Sequence, residues 1–179
     1  KTTVPVVVDF TNMPSGFDKS TISYSIDYPT VTVIGAPETV DKTKQVNISP
    51  IDLSNVTSSS ASFDVSAKLP EGVRLLDNID HFTVQINTNG YVQKSINVNS
   101  VNFSGLSSGL SVSKNTGIKN VKIFGPKSAV NRITASNVTA EVNLSEIKSG
   151  EHTVNATFKI SGYNNVWIIG TYKTTVTIK

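Results

Sequence analysis

The chain has 179 residues, 37% of them hydrophobic and 16% charged, which is enough apolar material for a core and argues against wholesale disorder. It contains no Cys, excluding a disulfide scaffold, a thiolate metal site and a cysteine nucleophile. The net charge of +3, with a pI near 9.1, comes from basic residues scattered singly, so nucleic acid is not an expected partner.

Short, alternating, β-branched runs follow one another along the chain. Val6–Phe10, Ile22–Ile26 and Val31–Ile34 read as strands. After Gly35 come Pro37 and the apolar Val40. Pro fits the first turn of a helix, where its missing N–H would have no partner, so a short helical turn is expected there. Gly35, having no Cβ, is expected to let the chain bend sharply off the strand. Phe63, Val65, Ala67 and Leu69 then alternate with Asp64, Ser66 and Lys68, the period of a half-buried strand. Val73–Leu76 and Phe82–Ile86 follow, and Asn89-Gly90 sits between two alternating runs. That pair favours a tight turn because both residues tolerate positive φ. Beyond it Val92–Val98, Val121–Phe124, Val138–Val142, the alternating Val154, Ala156, Phe158 and Ile160, Val166–Ile169 and Thr174–Ile178 read as strands. A second helical turn is expected after Gly125 and Pro126, with Val130 and Ile133 on one face. The longest apolar runs, such as Val6–Val8 and Val166–Ile169, fall far short of the roughly 20 residues that cross a bilayer. The chain opens on Lys1 without a signal-peptide pattern, so a processed protein or an excised fragment is expected, with any anchor outside these residues.

The order of elements repeats. "VTVIGAPETV" (Val31–Val40) returns as "VKIFGPKSAV" (Val121–Val130), with Gly35 and Gly125 90 positions apart. "IDLSNV" from Ile51 faces "VNLSEI" from Val142, "SASFDVSAKL" from Ser60 faces "EHTVNATFKI" from Glu151, and "FTVQI" from Phe82 faces "TTVTI" from Thr174. "DFTNMPSG" from Asp9 likewise faces "NFSGLSSG" from Asn102. The expectation is an all-β protein of two tandem homologous domains, residues 1–89 and 90–179, each with one short helical turn. No flexible linker separates them, so an end-to-end arrangement with restricted motion, suited to a spacer or presenting arm, is expected. The copies keep apolar positions and vary polar ones, whereas a reacting site would keep its polar atoms. No enzyme is expected, and no cofactor.

A strand reading Val-x-Val-x-Gly, then Pro and a helical turn, then "IDLS" or "VNLS", then the "LPEGV" turn (Leu69–Val73) and a closing Val-x-Ile strand resembles the YbbR-like domain. The likeness spans nearly the whole chain as two copies, and departs from the pattern at "ISGYNNV" (Ile160–Val166), where the "LPEGV" turn is replaced. The resemblance implies an extracytoplasmic, all-β, non-enzymatic module of the bacterial cell surface, anchored to a membrane in the full-length protein. Some family members regulate a membrane-bound diadenylate cyclase, so a protein partner, that cyclase among the candidates, is what the resemblance implies. It supplies no catalytic residue set.

The individual motifs are weak as sites. "GPKS" (Gly125–Ser128) follows a strand as a phosphate loop would, but the leading Gly is missing and Pro126 supplies no N–H, so Gly35, Pro37, Gly125 and Pro126 are read as a structural motif. His81 and His152 fall at different points of the repeat, which leaves a metal site or a Ser-His-Asp arrangement without parts. Asp41, Asp52 and Asp64 face Asn131, Asn143 and Asn155, so no carboxylate pair is kept. Asn-x-Ser/Thr triplets at Asn55, Asn137 and Asn155 arise easily in so Asn- and Thr-rich a chain. In "NNVWIIG" alternation buries Val166 and Ile168 and turns Trp167 to the opposite face, with Arg74 as its counterpart. Trp167 and Arg74 are therefore candidate surface contacts, and an outward Trp could stack on a sugar, giving a carbohydrate-binding or adhesion module as the alternative function. Against this, a large aromatic normally buries much of its area, by covering an edge or packing at the domain junction.

Overall fold

A two-residue period of apolar side chains makes almost every element a strand, because only an extended chain sends alternate residues to opposite faces. The structure, a computed structural model, describes residues 1–179. It contains two compact units, one of Lys1–Thr11, Ile22–Asp52 and Ser59–Asn87, the other of Asn12–Thr21, Leu53–Ser58 and Thr88–Lys179.

Unit 1 holds β1 (Thr2–Val7), β2 (Phe10–Thr11), β3 (Tyr24–Ile26), β4 (Thr30–Ile34), helical turn α1 (Pro37–Val40), β5 (Val46–Ile48), β6 (Ile51–Asp52), β7 (Ser62–Lys68), β8 (Arg74–Leu75) and β9 (His81–Ile86). Seven of the strands form one sheet in the order β3-β9-β7-β5-β1-β4-β8, beside the parallel pair β2-β6. β1 joins the two parts of that sheet: its first residues pair antiparallel with β4, and Val6 and Val7 pair in parallel with β5. In β9, Phe82, Val84 and Ile86 are buried while His81, Thr83 and Gln85 are exposed. Burying each such side chain contributes about 1.5–3 kcal/mol, so a one-residue slip of this strand would forfeit several of these at once.

Unit 2 holds β10 (Tyr91–Val98), β11 (Val101–Ser104), β12 (Val112–Asn115), β13 (Ile118–Pro126), helical turn α2 (Lys127–Val130), β14 (Val138–Asn143), β15 (Gly150–Ile160), β16 (Trp167–Ile169) and β17 (Tyr172–Ile178). It also holds 3-10 turns at Lys19–Thr21, Leu53–Asn55 and Ala135–Asn137. The strands form a sheet β10-β13-β16 and a sheet β11-β14-β15-β17-β12. The pairings repeat those of unit 1: β1, β4 and β8 correspond to β10, β13 and β16, while β5, β7, β9 and β3 correspond to β14, β15, β17 and β12. Even the parallel pairing recurs, as β11 with β14. The difference is where the first strand is interrupted: β1 carries both its antiparallel and its parallel pairing and stops before β2, whereas in unit 2 the interruption falls between these pairings and leaves β10 and β11 in separate sheets. The core of unit 2 centres on Val121, Ile123, Val130, Ile133, Val138 and Ile168.

The tandem all-β architecture with one helical turn per copy is therefore the architecture of the chain. The Asn89-Gly90 turn forms with Tyr91 N–H donating to the Thr88 carbonyl at 3.0 Å. Only Gly90 takes positive φ, at 74°, so the pair does not use the two left-handed residues expected of it. No helix is long and apolar enough to cross a membrane.

Candidate functional site

The repeated strand–glycine–turn motif owes its glycine to crowding. Neither Gly35 nor Gly125 has positive φ, so the expected sharp bend is not the reason for the residue. A Cβ on Gly35 would stand 2.5 Å from the Gly72 carbonyl oxygen, and one on Gly125 would stand 2.6 Å from Val166 Cγ1 and 3.1 Å from its Cα. In each copy the chain entering the next strand of the sheet runs directly over the glycine. The "LPEGV" turn is what brings it there in unit 1: Val73 N–H donates to the Pro70 carbonyl, with Gly72 at φ 75° between them. Pro37 occupies the first helical position of α1, as expected. Pro126 stands one step earlier, before α2 and paired with Tyr91 at the end of β13. Val40 and Val130 pin the two helical turns inward. Lys127, the basic residue of "GPKS", directs its N–H to the Gly90 carbonyl, so that amide serves the fold.

Trp167 and Arg74 occupy the same place in the two copies. In unit 2 the register sets Trp167 against Phe124 and Ile168 against Ile123; in unit 1 it sets Arg74 against Ile34 and Leu75 against Val33. Their environments differ. Arg74 is exposed, whereas Trp167 is 1% exposed, which corrects the expectation of an outward ring. Its ring centroid lies 5.3 Å from that of Phe124, 5.7 Å from Tyr91 and 6.1 Å from Phe17, in tilted or edge-on contacts. The indole N–H donates to the Val56 carbonyl at 3.2 Å. Val166 and Ile168 face the core as expected, and the opposite face of β16 is covered because Phe17 and Val56 belong to unit 2. Asp18 N–H donates to the Asn164 carbonyl, Ser15 N–H to the Phe158 carbonyl and Gly170 N–H to the Ser54 carbonyl, which holds those segments in place. A sugar platform built on Trp167 is thereby ruled out, and Phe17, which completes the cluster, carried no periodic signal in the sequence.

A groove of about 370 Å³ lies nearby in unit 2, walled by Met13, Pro14, Phe158, Ile168 and Tyr172 with Asn155 at its side. Its one ionisable group, the Tyr172 hydroxyl, donates to the Ile169 carbonyl at 2.9 Å and accepts from Lys122 N–H at 2.9 Å. It offers shape and apolar area, and no acid, base or nucleophile in a reacting geometry.

The comparisons with known proteins bear directly on this duplicated architecture. The family model described as "YbbR-like protein" matches residues 4–88 and matches again at 96–178. The chain belongs to the YbbR-like family. No curated protein matches it. Among solved structures it is similar to a YbbR-like protein from Streptococcus pneumoniae, with 17% identity, a TM-score of 0.38, and coverage of 99% of this chain and 94% of that one. A protein of Streptococcus thermophilus is 28% identical with a TM-score of 0.34, over 48% of this chain and 81% of that one. YbbR-like domains are, in general terms, non-catalytic.

The ionisable side chains of this YbbR-like pair are dispersed. Asp64 meets His81 across β7 and β9, Nδ1 to Oδ1 3.9 Å, with both side chains largely in solvent. His152 Nε2 lies 2.9 Å from the Lys148 carbonyl. No group of three or more His, Asp or Glu side chains is placed to hold a metal ion. Asp18 has its carboxyl held below the usual carboxylate range, by the Ser20 hydroxyl and then the Ser20 N–H. Burial pushes the Tyr91 hydroxyl above its ordinary value.

Proposed function

We propose that this tandem YbbR-like protein is a non-enzymatic, extracytoplasmic module of the bacterial cell surface that binds another protein, regulating a membrane diadenylate cyclase by contact. The full-length protein is held at the membrane by a segment outside these residues. One observation carries the reading. The two copies repeat the same strand pairings and the same close approach at Gly35 and Gly125, yet Asp41, Asp52 and Asp64 of one stand where Asn131, Asn143 and Asn155 stand in the other. Selection of that pattern preserves an interior and leaves the surface free to specialise, as a recognition module requires. The test is to express the chain behind a transmembrane helix, on the outer face of the membrane, together with a membrane diadenylate cyclase. Co-purification and a changed cyclic di-AMP level are expected. An unchanged level with no co-purification overturns the cyclase reading.

A further inference from the structure

We infer that Asn89 is a site of spontaneous covalent modification, in which its side-chain amide is converted to a carboxylate through a cyclic imide formed with Gly90. Asn89-Gly90 is the only Asn-Gly pair in the chain, and both residues are exposed. Closure of Asn89 Cγ onto the Gly90 backbone nitrogen forms a five-membered ring. The Gly90 backbone nitrogen attacks Asn89 Cγ, a C–N bond forms, and the side-chain nitrogen leaves as ammonia. Water then opens either carbonyl of the ring, giving aspartate or, when the main-chain carbonyl is attacked, isoaspartate. The balance is one amide and one water in, one carboxylic acid and one ammonia out, with no oxidant or reductant.

One feature of the sequence and two of the structure favour this position over the other asparagines. Every other Asn precedes a residue with a side chain, which shields the attacking nitrogen. Gly90 is exposed, and a Cβ built on it would meet nothing within 4 Å beyond its own chain neighbours, so no remote segment packs over that side of the turn. The turn's own hydrogen bond runs from Tyr91 N–H to the Thr88 carbonyl and makes no use of the Gly90 N–H. Asn is a heat-labile residue type for the same chemical reason. The consequence is local and specific. The product removes one unit of the net positive charge, and isoaspartate adds a backbone carbon just before Gly90, whose carbonyl accepts from Lys127 N–H.

The test is incubation of the intact chain at mildly alkaline pH, followed by peptide mass mapping, assay with a protein isoaspartyl methyltransferase, and isoelectric focusing. The peptide holding Asn89 should gain the mass of an amide-to-acid change before any other Asn peptide, with methyl-accepting isoaspartate and an acidic shift of the whole chain. Asn89→Gln, which keeps the amide and moves it one carbon further from Gly90, should lose all three signals. An Asn89 peptide unchanged in the native chain while the urea-unfolded chain converts overturns the inference. So does earlier conversion at Asn99, which precedes Ser100, or persistence of the three signals in Asn89→Gln.

Discussion

Gly35 and Gly125 show how one residue can be required for a reason its type does not announce. Glycine serves turns by tolerating positive φ and serves packing by having no Cβ, and here the second property decides, since the φ values are ordinary and the neighbouring chain is 2.5–2.6 Å from where a Cβ would stand. Gly35→Ala and Gly125→Ala should each destabilise by about 1–3 kcal/mol, the usual cost of overpacking, as measured by urea unfolding. At Gly35 the obstacle is a backbone carbonyl, which cannot swing aside. Trp167→Ala should cost about 3–5 kcal/mol, the range for a large aromatic removed from a core, while an outward Trp would cost almost nothing. In the parent chain, emission from this single Trp should be blue-shifted and resist quenching by iodide. Tyr91, which packs against it, gives a pH signature. Burial raises its pKa from the ordinary 10.0, so the neutral form is favoured in the folded state. The stabilisation is complete below pH 10 and is lost as pH rises through the elevated value. Stability should therefore fall in alkaline solution, and Tyr91→Phe should reduce that fall.

Strands with a long period-two signal were readable from the chain alone: β9, β13, β15 and β17 lie where alternation puts them. The two- and three-residue strands β2, β5 and β6 were not all distinguishable, because so few residues cannot establish a period and their pairing partners are remote in sequence. The helical turns were legible through Pro37, Val40, Val130 and Ile133, which combine a backbone preference with an inward face. The 3-10 turn at Lys19–Thr21 was silent, because what organises it is the Asp18 side chain receiving Ser20 N–H and Ser20 Oγ. Those bonds favour the ionised carboxyl, so their stabilisation is present above the ordinary pKa of 3.8 and is lost as pH falls through the lowered value. Ser20→Ala should return the Asp18 carboxyl toward its ordinary titration, followed by NMR, without disturbing the strands. A titration curve unchanged in that variant would remove this account of the turn.

Across the whole molecule the sequence repeat and the compact units are drawn by different forces. The repeat follows the order of strands along the chain, whereas unit 2 also contains Asn12–Thr21 and Leu53–Ser58. A fragment of residues 88–179 carries Trp167 without Phe17 and Val56, so its Trp emission should be red-shifted and readily quenched compared with the whole chain. Equal emission from the fragment and the whole chain would show that those two segments do not shield the ring. From the sequence alone came the two-fold spelling of an all-β interior, the helical turns and the family, because alternation, glycine and proline act through local geometry that any reader of the chain can apply. Only the tertiary structure decided the fate of Trp167 and the purpose of the paired glycines. Period two tells which residues share a face of a strand, but whether that face meets water depends on segments that arrive from elsewhere in the chain, in this case Val56, 111 positions away.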